Sequence, residues 1–150
     1  MGDNKDVIIG EISSAISKLL GTSAAAVMRT AGASASHRIW PELPAGVSVE
    51  EAGNIMHQGV EQLGGFGDFR ITGQEGEVVT IEFKGCFFAT LRSTSGRECG
   101  EQSICYFGFG LVEETFKRLT GRIGKVELTR REDSSGTCFE VLRPRAGARG

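Results

Sequence analysis

Residues 99–142 read CGEQSICYFGFGLVEETFKRLTGRIGKVELTRREDSSGTCFEVL, and this stretch decides the fold. Its first half predicts a helix over about 103–120 that ends at Gly121, because glycine is favoured just beyond a helix C-terminus. Alternating side chains then predict strands near 125–131 and 137–142, joined by a tight turn. The block is therefore a helix followed by a β-hairpin.

Three further helices are predicted upstream, because apolar residues recur there at spacings of three and four. The first ends near Leu20, and the second covers about 24–40. The third begins at the capping box Ser48–Glu51 and ends near Leu63. Small residues crowd the second helix, so another backbone can approach it closely.

Between the third and fourth helices the pattern changes to a period of two, which predicts a hairpin of strands near 68–73 and 77–83. Residues 85–89 are predicted to extend the second of these strands past a bulge. One face of that strand is expected to be buried, and it carries Val79, Ile81 and Phe83.

The resulting order, ααα-ββ-α-ββ, predicts an α+β fold with the N-terminal helices packed on a four-stranded antiparallel sheet. A chain of 150 residues is sufficient for one hydrophobic core. We expect one ligand-binding domain over residues 1–142 and a disordered tail over residues 143–150, whose composition offers no apolar surface to bury.

Composition limits the classes of partner. The net charge is −2, which provides no basic surface for nucleic acid. No run approaches the roughly 18 apolar residues of a membrane span, and the acidic start Met1–Asp6 lacks the pattern of a secretion signal. We therefore expect a cytoplasmic protein that binds neither nucleic acid nor membrane, with cysteines that are reduced or bind metal.

The sequence predicts an apolar ligand cavity between the second and third helices and the sheet. Nine phenylalanines are enough to line such a cavity, although they also suit an ordinary filled core. Small helix residues leave room beside aromatic groups in this region, and a small, largely apolar ligand would fit there. The predicted wall consists of Trp40, Met56, His57, Val79, Ile81 and Phe83.

The cysteines admit two interpretations. Cys105 and Cys138, with Glu127 as an oxygen donor and Cys99 as a fourth ligand, have the chemistry of a zinc site. With a tight turn in the last hairpin, however, Glu127 and Cys138 share a face but lie about four residues out of register. That separation is roughly 13 Å, unless a bulge shifts the pairing. The alternative is that the thiols are buried as small apolar groups.

Four segments of the last third resemble the 4-vinyl reductase domain family: Cys105–Val112, Leu119–Gly121, Val126–Leu128 and Gly136–Val141. Residues 26–35, AVMRTAGASA, resemble the small-residue helix of that family. The resemblance covers most of residues 7–142.

The resemblance implies a ligand-binding or sensory domain that does not catalyse a reaction, with a fold related to that of a vesicle-tethering subunit. It also implies a homodimer and, in some members, zinc on the positions of Cys105, Glu127 and Cys138. The family's middle cysteine is Arg130 here, and its charge opposes a cation. We therefore expect no cofactor, and expect Glu127 to pair with Arg130 or Lys125 unless zinc is bound.

Two other functions fit the same sequence. One is an assembly or scaffold protein whose core is filled. The other is an accessory protein or enzyme of tetrapyrrole biosynthesis, to which some relatives of the family are tied. A scaffold would contain no cavity, whereas an enzyme would need acid and base groups that converge on one.

Overall fold

The computed structural model describes residues 4–87, 103–132 and 134–144. The helices are α1 (Asn4–Leu20), α2 (Ala24–Ile39), α3 (Val49–Leu63) and α4 (Ser103–Thr120), and the strands are β1 (Asp68–Glu75), β2 (Val78–Lys84), β3 (Gly124–Glu132) and β4 (Thr137–Pro144). The strands form one antiparallel sheet in the order β1-β2-β4-β3. The predicted α+β order is confirmed.

Helix α3 begins where the capping box predicts. The Ser48 side chain accepts a hydrogen bond from the Glu51 amide at 3.1 Å, which satisfies one of the amides left without a partner in the first turn. The helix ends at Gly64, which adopts a φ of +71°. This conformation costs glycine little because it has no Cβ.

The core lies between the inner face of the sheet and helices α3 and α4. Its largest fully buried side chains are Phe69, Phe116, Ile81 and Leu119. Helix α2 does not lie on the sheet; it packs against the other side of α4. A Cβ added at Gly32 of α2 would lie 2.7 Å from the Leu111 amide nitrogen of α4. The glycine therefore allows the two backbones to approach more closely than an alanine would.

One ion pair joins α2, α4 and β3. Glu113 of α4 accepts from Arg29 of α2 at 3.2 Å and from the Val126 amide of β3 at 2.8 Å. The Arg29 guanidinium also donates to the Val126 carbonyl at 2.9 Å. Because charge-assisted hydrogen bonds are stronger than neutral ones, this arrangement fixes the sheet edge relative to both helices.

The strands differ from the prediction at their ends. Strand β2 stops at Lys84, because Gly85 turns the chain with a φ of +63° and residues 85–87 do not extend the strand. Strand β4 continues to Pro144 because Arg143 pairs with Lys125 of β3. The predicted tail therefore starts too early. Its residues 145–150, like most of the predicted loop before α4, lie outside the described part of the chain.

Helix α1 exposes apolar side chains. Ile8, Ile12 and Leu19 are 58%, 55% and 84% exposed. With Ala15 they form a stripe at the spacing of one helix face. Among the described residues, no helix has the length and apolar character needed to cross a membrane.

Candidate functional site

A small cavity separates α4 from the C-terminal half of the sheet, and it is named here the Glu140 cavity. Its volume is about 30 Å³, and four of its lining side chains are Cys86, Cys105, Cys138 and Glu140. The remaining walls are apolar and consist of Phe83, Gly108, Phe109, Val112 and Leu128. A carboxyl group thus enters an otherwise apolar and sulfur-lined space.

Strand β4 directs Glu140 into this space. Cys138, Glu140 and Leu142 alternate onto the inner face of the sheet, and all three residues are buried. Glu140 is flanked on the neighbouring strands by Ile81 and Leu128. Its exposed fraction is 8%, and nothing in residues 4–87, 103–132 or 134–144 forms a hydrogen bond or an ion pair with its carboxyl group. A buried carboxyl without a partner is costly in a folded protein.

Burial changes the ionisation of this carboxyl group. Desolvation, with a smaller contribution from the neighbouring Cys138, raises the pKa of Glu140 from about 4.5 to about 8. At neutral pH the group is therefore mostly protonated and carries an O–H that can donate a hydrogen bond. Beside it, the Arg131 guanidinium donates to the Cys138 sulfur at 3.1 Å.

Glu127 lies on the opposite face of the sheet, so the predicted metal set is not brought together. A bulge between Leu128 and Arg130 adds one residue to β3, so Glu127 pairs with Val141. An added residue moves all later side chains to the other face. Glu127 is half exposed and accepts from Arg143 at 3.2 Å, so the predicted partners Arg130 and Lys125 were wrong.

The side chains that the structure places at the cavity do not fit a zinc ion. Cys105 and Cys138 line it, but the carboxylate expected to join them is on the other face, and Arg131 donates to one of the sulfurs. Within the described ranges, no group of three or more histidines, cysteines or acids is placed to hold a metal. Cys99 lies outside those ranges. Arg130 instead stacks over the Phe139 ring at 4.1 Å on the outer face.

Two further spaces adjoin the Glu140 cavity. The first, named the Trp40 cavity, is also about 30 Å³ and shares Phe83, Gly108 and Val112 with it. The second is a more polar groove of about 290 Å³ along α3 and residues 40–44. This groove shares Trp40, Met56 and Thr115 with the Trp40 cavity. The three spaces follow one another from the surface to Glu140.

Three of the six predicted ligand residues line these spaces. Trp40 and Met56 border both the groove and the Trp40 cavity, and Phe83 borders both inner cavities. Val79 and Ile81 do not contribute to any of the three, because α3 and α4 cover them and they belong to the solid core.

His57 also lies away from the cavities. Its Nδ1 atom is 2.9 Å from the Phe69 carbonyl and 3.1 Å from Asp68, and its Nε2 atom is 3.5 Å from Glu61. One helix position turns a side chain by about 100°, so His57 faces the backbone of β1 while Met56 faces the core. The prediction that His57 lines the cavity was wrong.

Sequence reasoning missed the residue that distinguishes the site. Glu140 alternates with Phe139 and Val141 and therefore shares a face with Cys138, which the period of a strand was sufficient to show. Cys86 carried no comparable signal, because it was predicted to continue a strand that in fact ends at Lys84.

The chain was compared with known proteins. It matches no protein-family model and no curated protein.

Proposed function

We propose that this domain binds a small, largely apolar molecule in the inner cavities between α4 and the sheet, without catalysing a reaction. The proposal retains the ligand class expected from the sequence but moves the site toward Glu140. A cytoplasmic location is part of it, since a reducing compartment keeps the cavity cysteines as thiols.

The observation that carries the proposal is the Glu140 carboxyl group. A filled core has no use for a carboxyl without a partner, and an apolar residue at this position would be more stable. Ligand sites, in contrast, combine apolar walls with a few polar groups that orient the ligand. Glu140 supplies that polar group at the end of an apolar space.

The adjoining spaces support an elongated ligand. Each inner cavity holds only about 30 Å³, so the apolar chain of a ligand has to displace side chains at the shared wall. Phe83 and Val112 form that wall together with Gly108, which has no side chain to displace. The groove beside Trp40 gives such a chain a route from the surface.

Native mass spectrometry of freshly purified protein is the first test, because it detects an apolar ligand retained during purification. Trp40 is the only tryptophan of the chain and borders two of the spaces. Its fluorescence should change when a medium-chain ketone such as 2-octanone is added. The expected result is saturable binding with one site per chain.

A blocking variant tests the location. Val112→Phe places a larger side chain in the wall shared by the inner cavities and should weaken binding at least tenfold. Val27→Phe makes the same change at a half-exposed position of α2 and should leave binding unchanged. Thermal melting of both variants shows whether they are folded.

Three outcomes would contradict the proposal. Absence of any adduct together with absence of probe binding would support the scaffold alternative. A coloured adduct with a tetrapyrrole absorption band would support the accessory role in tetrapyrrole biosynthesis. Equal binding by Val112→Phe and wild type would place the ligand elsewhere.

We also propose that the chain forms a homodimer through α1. Its exposed apolar stripe is unusual for a monomer surface. Glu11 and Lys18 lie on one flank of the stripe. In an antiparallel pair of α1 helices related by a two-fold axis, Glu11 of one copy faces Lys18 of the second copy. The stripe and its flank are therefore complementary to themselves.

Light scattering measures this directly. We expect a mass of about 32 kDa, twice the 16.0 kDa of one chain. Ile12→Glu should give the monomer, and Ser34→Glu on exposed α2 should not. Lys18→Glu should weaken the dimer, and adding Glu11→Lys should restore it. A wild-type mass of 16 kDa at micromolar concentration would refute the proposal.

A further inference from the structure

We propose that the Glu140 carboxyl group selects a neutral carbonyl compound, by donating its O–H to the carbonyl oxygen of a ligand whose apolar chain lies along α4. This inference rests on the proposed binding of an apolar ligand and adds the chemical class of the polar end. The chain of reasoning starts from the position of one side chain.

Glu140 is built into the site. It projects from the inner face of β4, is more than nine-tenths buried, and has no hydrogen-bond partner within the described part of the chain. Apart from the cysteine sulfurs, which are weak donors and acceptors, it is the polar group of its cavity. A ligand that enters this space therefore meets one strong hydrogen-bonding group.

The protonation state of that group decides what it recognises. Because burial raises the pKa of Glu140 to about 8, the group is a donor at neutral pH. Carboxylic acids held neutral in apolar sites are known to act as hydrogen-bond donors to ligand oxygens. A carbonyl oxygen needs one such donor, which is what the cavity provides.

Charged ligands fit less well. An ammonium group would have to be desolvated beside Glu140 while the Arg131 guanidinium lies at the same cavity, 3.1 Å from the Cys138 sulfur. A ligand carboxylate would bury a full charge next to a second carboxyl group, and one O–H cannot satisfy both of its oxygens. The other titratable groups that face Glu140 are the thiols of Cys86, Cys105 and Cys138.

The test compares four probes of one chain length: 2-octanone, octane, octylamine and octanoate. Calorimetry on the full chain at pH 6.5 should show 2-octanone binding at least tenfold more tightly than octylamine or octanoate. Above pH 8, where Glu140 loses its proton, the affinity for 2-octanone should fall by about tenfold per pH unit.

Two variants separate the donor from the shape of the cavity. Glu140→Gln keeps a donor but cannot ionise, so it should bind 2-octanone without the pH dependence. Glu140→Leu has no donor and should lose about tenfold in affinity for 2-octanone while it binds octane as wild type does. Both variants remove the buried ionisable group and should fold.

The outcomes distinguish the two proposals. If none of the four probes binds, the proposed function fails and this inference fails with it. If the probes bind but octylamine or octanoate binds tightest, or Glu140→Leu binds 2-octanone as wild type does, only the inference is overturned. Binding of 2-octanone that does not change between pH 6.5 and pH 9 would overturn it as well.

Discussion

Glu140 lies two residues after Cys138 on β4, and both side chains enter the same cavity beneath α4. Their proximity has an electrostatic consequence. A thiolate at Cys138 opposes ionisation of Glu140, and this adds to the larger effect of burial on the pKa of the carboxyl group. The free energy of unfolding should therefore depend on pH through Glu140.

The first prediction concerns this pH dependence. Between pH 4.5 and about pH 8 the folded protein keeps a proton on Glu140 that the unfolded chain has released. Stability is therefore lost as pH rises through this window, by at most about 1.4 kcal/mol per pH unit, and levels off above it. Urea unfolding at several pH values should show that Glu140→Gln gains stability relative to wild type as pH rises. Glu77→Gln, at an exposed turn, should show no such gain; a parallel gain there would contradict the assignment.

The second prediction concerns the contact between α2 and α4. Gly32→Ala should lower the free energy of unfolding by about 1–3 kcal/mol, because the new methyl group meets the α4 backbone, which cannot move as a side chain can. Ser34→Ala, on the exposed side of the same helix, should change it by less than about 0.5 kcal/mol. Chemical denaturation measures both. Equal stability of Gly32→Ala and wild type would mean that the helices are not this close.

The third prediction compares two ion pairs. Arg29→Met removes hydrogen bonds to Glu113 and to the Val126 carbonyl and should cost roughly 2–3 kcal/mol, because a mostly buried carboxylate loses a partner. Arg143→Met breaks the pair with half-exposed Glu127 and should cost less than about 1 kcal/mol. Thermal and urea unfolding of the two variants provide the comparison. A larger loss for Arg143→Met would reverse the assignment of the two pairs.

The fourth prediction concerns metal. Since β3 turns Glu127 away from Cys105 and Cys138, we expect elemental analysis of the purified protein to find much less than one zinc per chain. Glu127→Ala should leave the metal content and the melting temperature nearly unchanged. About one zinc per chain, lost with stability on Cys105→Ser or Cys138→Ser, would show that the cysteines bind metal without Glu127.

The sequence by itself determined the elements of this protein. Apolar spacing and glycine positions were sufficient for the four helices, because these signals are local to a few turns of chain. The capping box at Ser48 and the buried alternation of Val79, Ile81 and Phe83 were correct for the same reason. Only the strand ends moved, at Gly85 and Pro144, where a turn or a neighbouring strand decides the boundary.

The tertiary structure decided which elements and faces meet. A single bulge at Leu128–Arg130 reverses the face of Glu127, and no local pattern marks it, because pairing with β4 determines where the extra residue sits. The placement of α2 on α4 depends on the backbone approach at Gly32, which spacing alone could not assign to a partner. The state of Glu140 likewise follows from the walls around it. Desolvation by α4 and the sheet, contributed by residues distant in sequence, turns an ordinary acid into a buried donor.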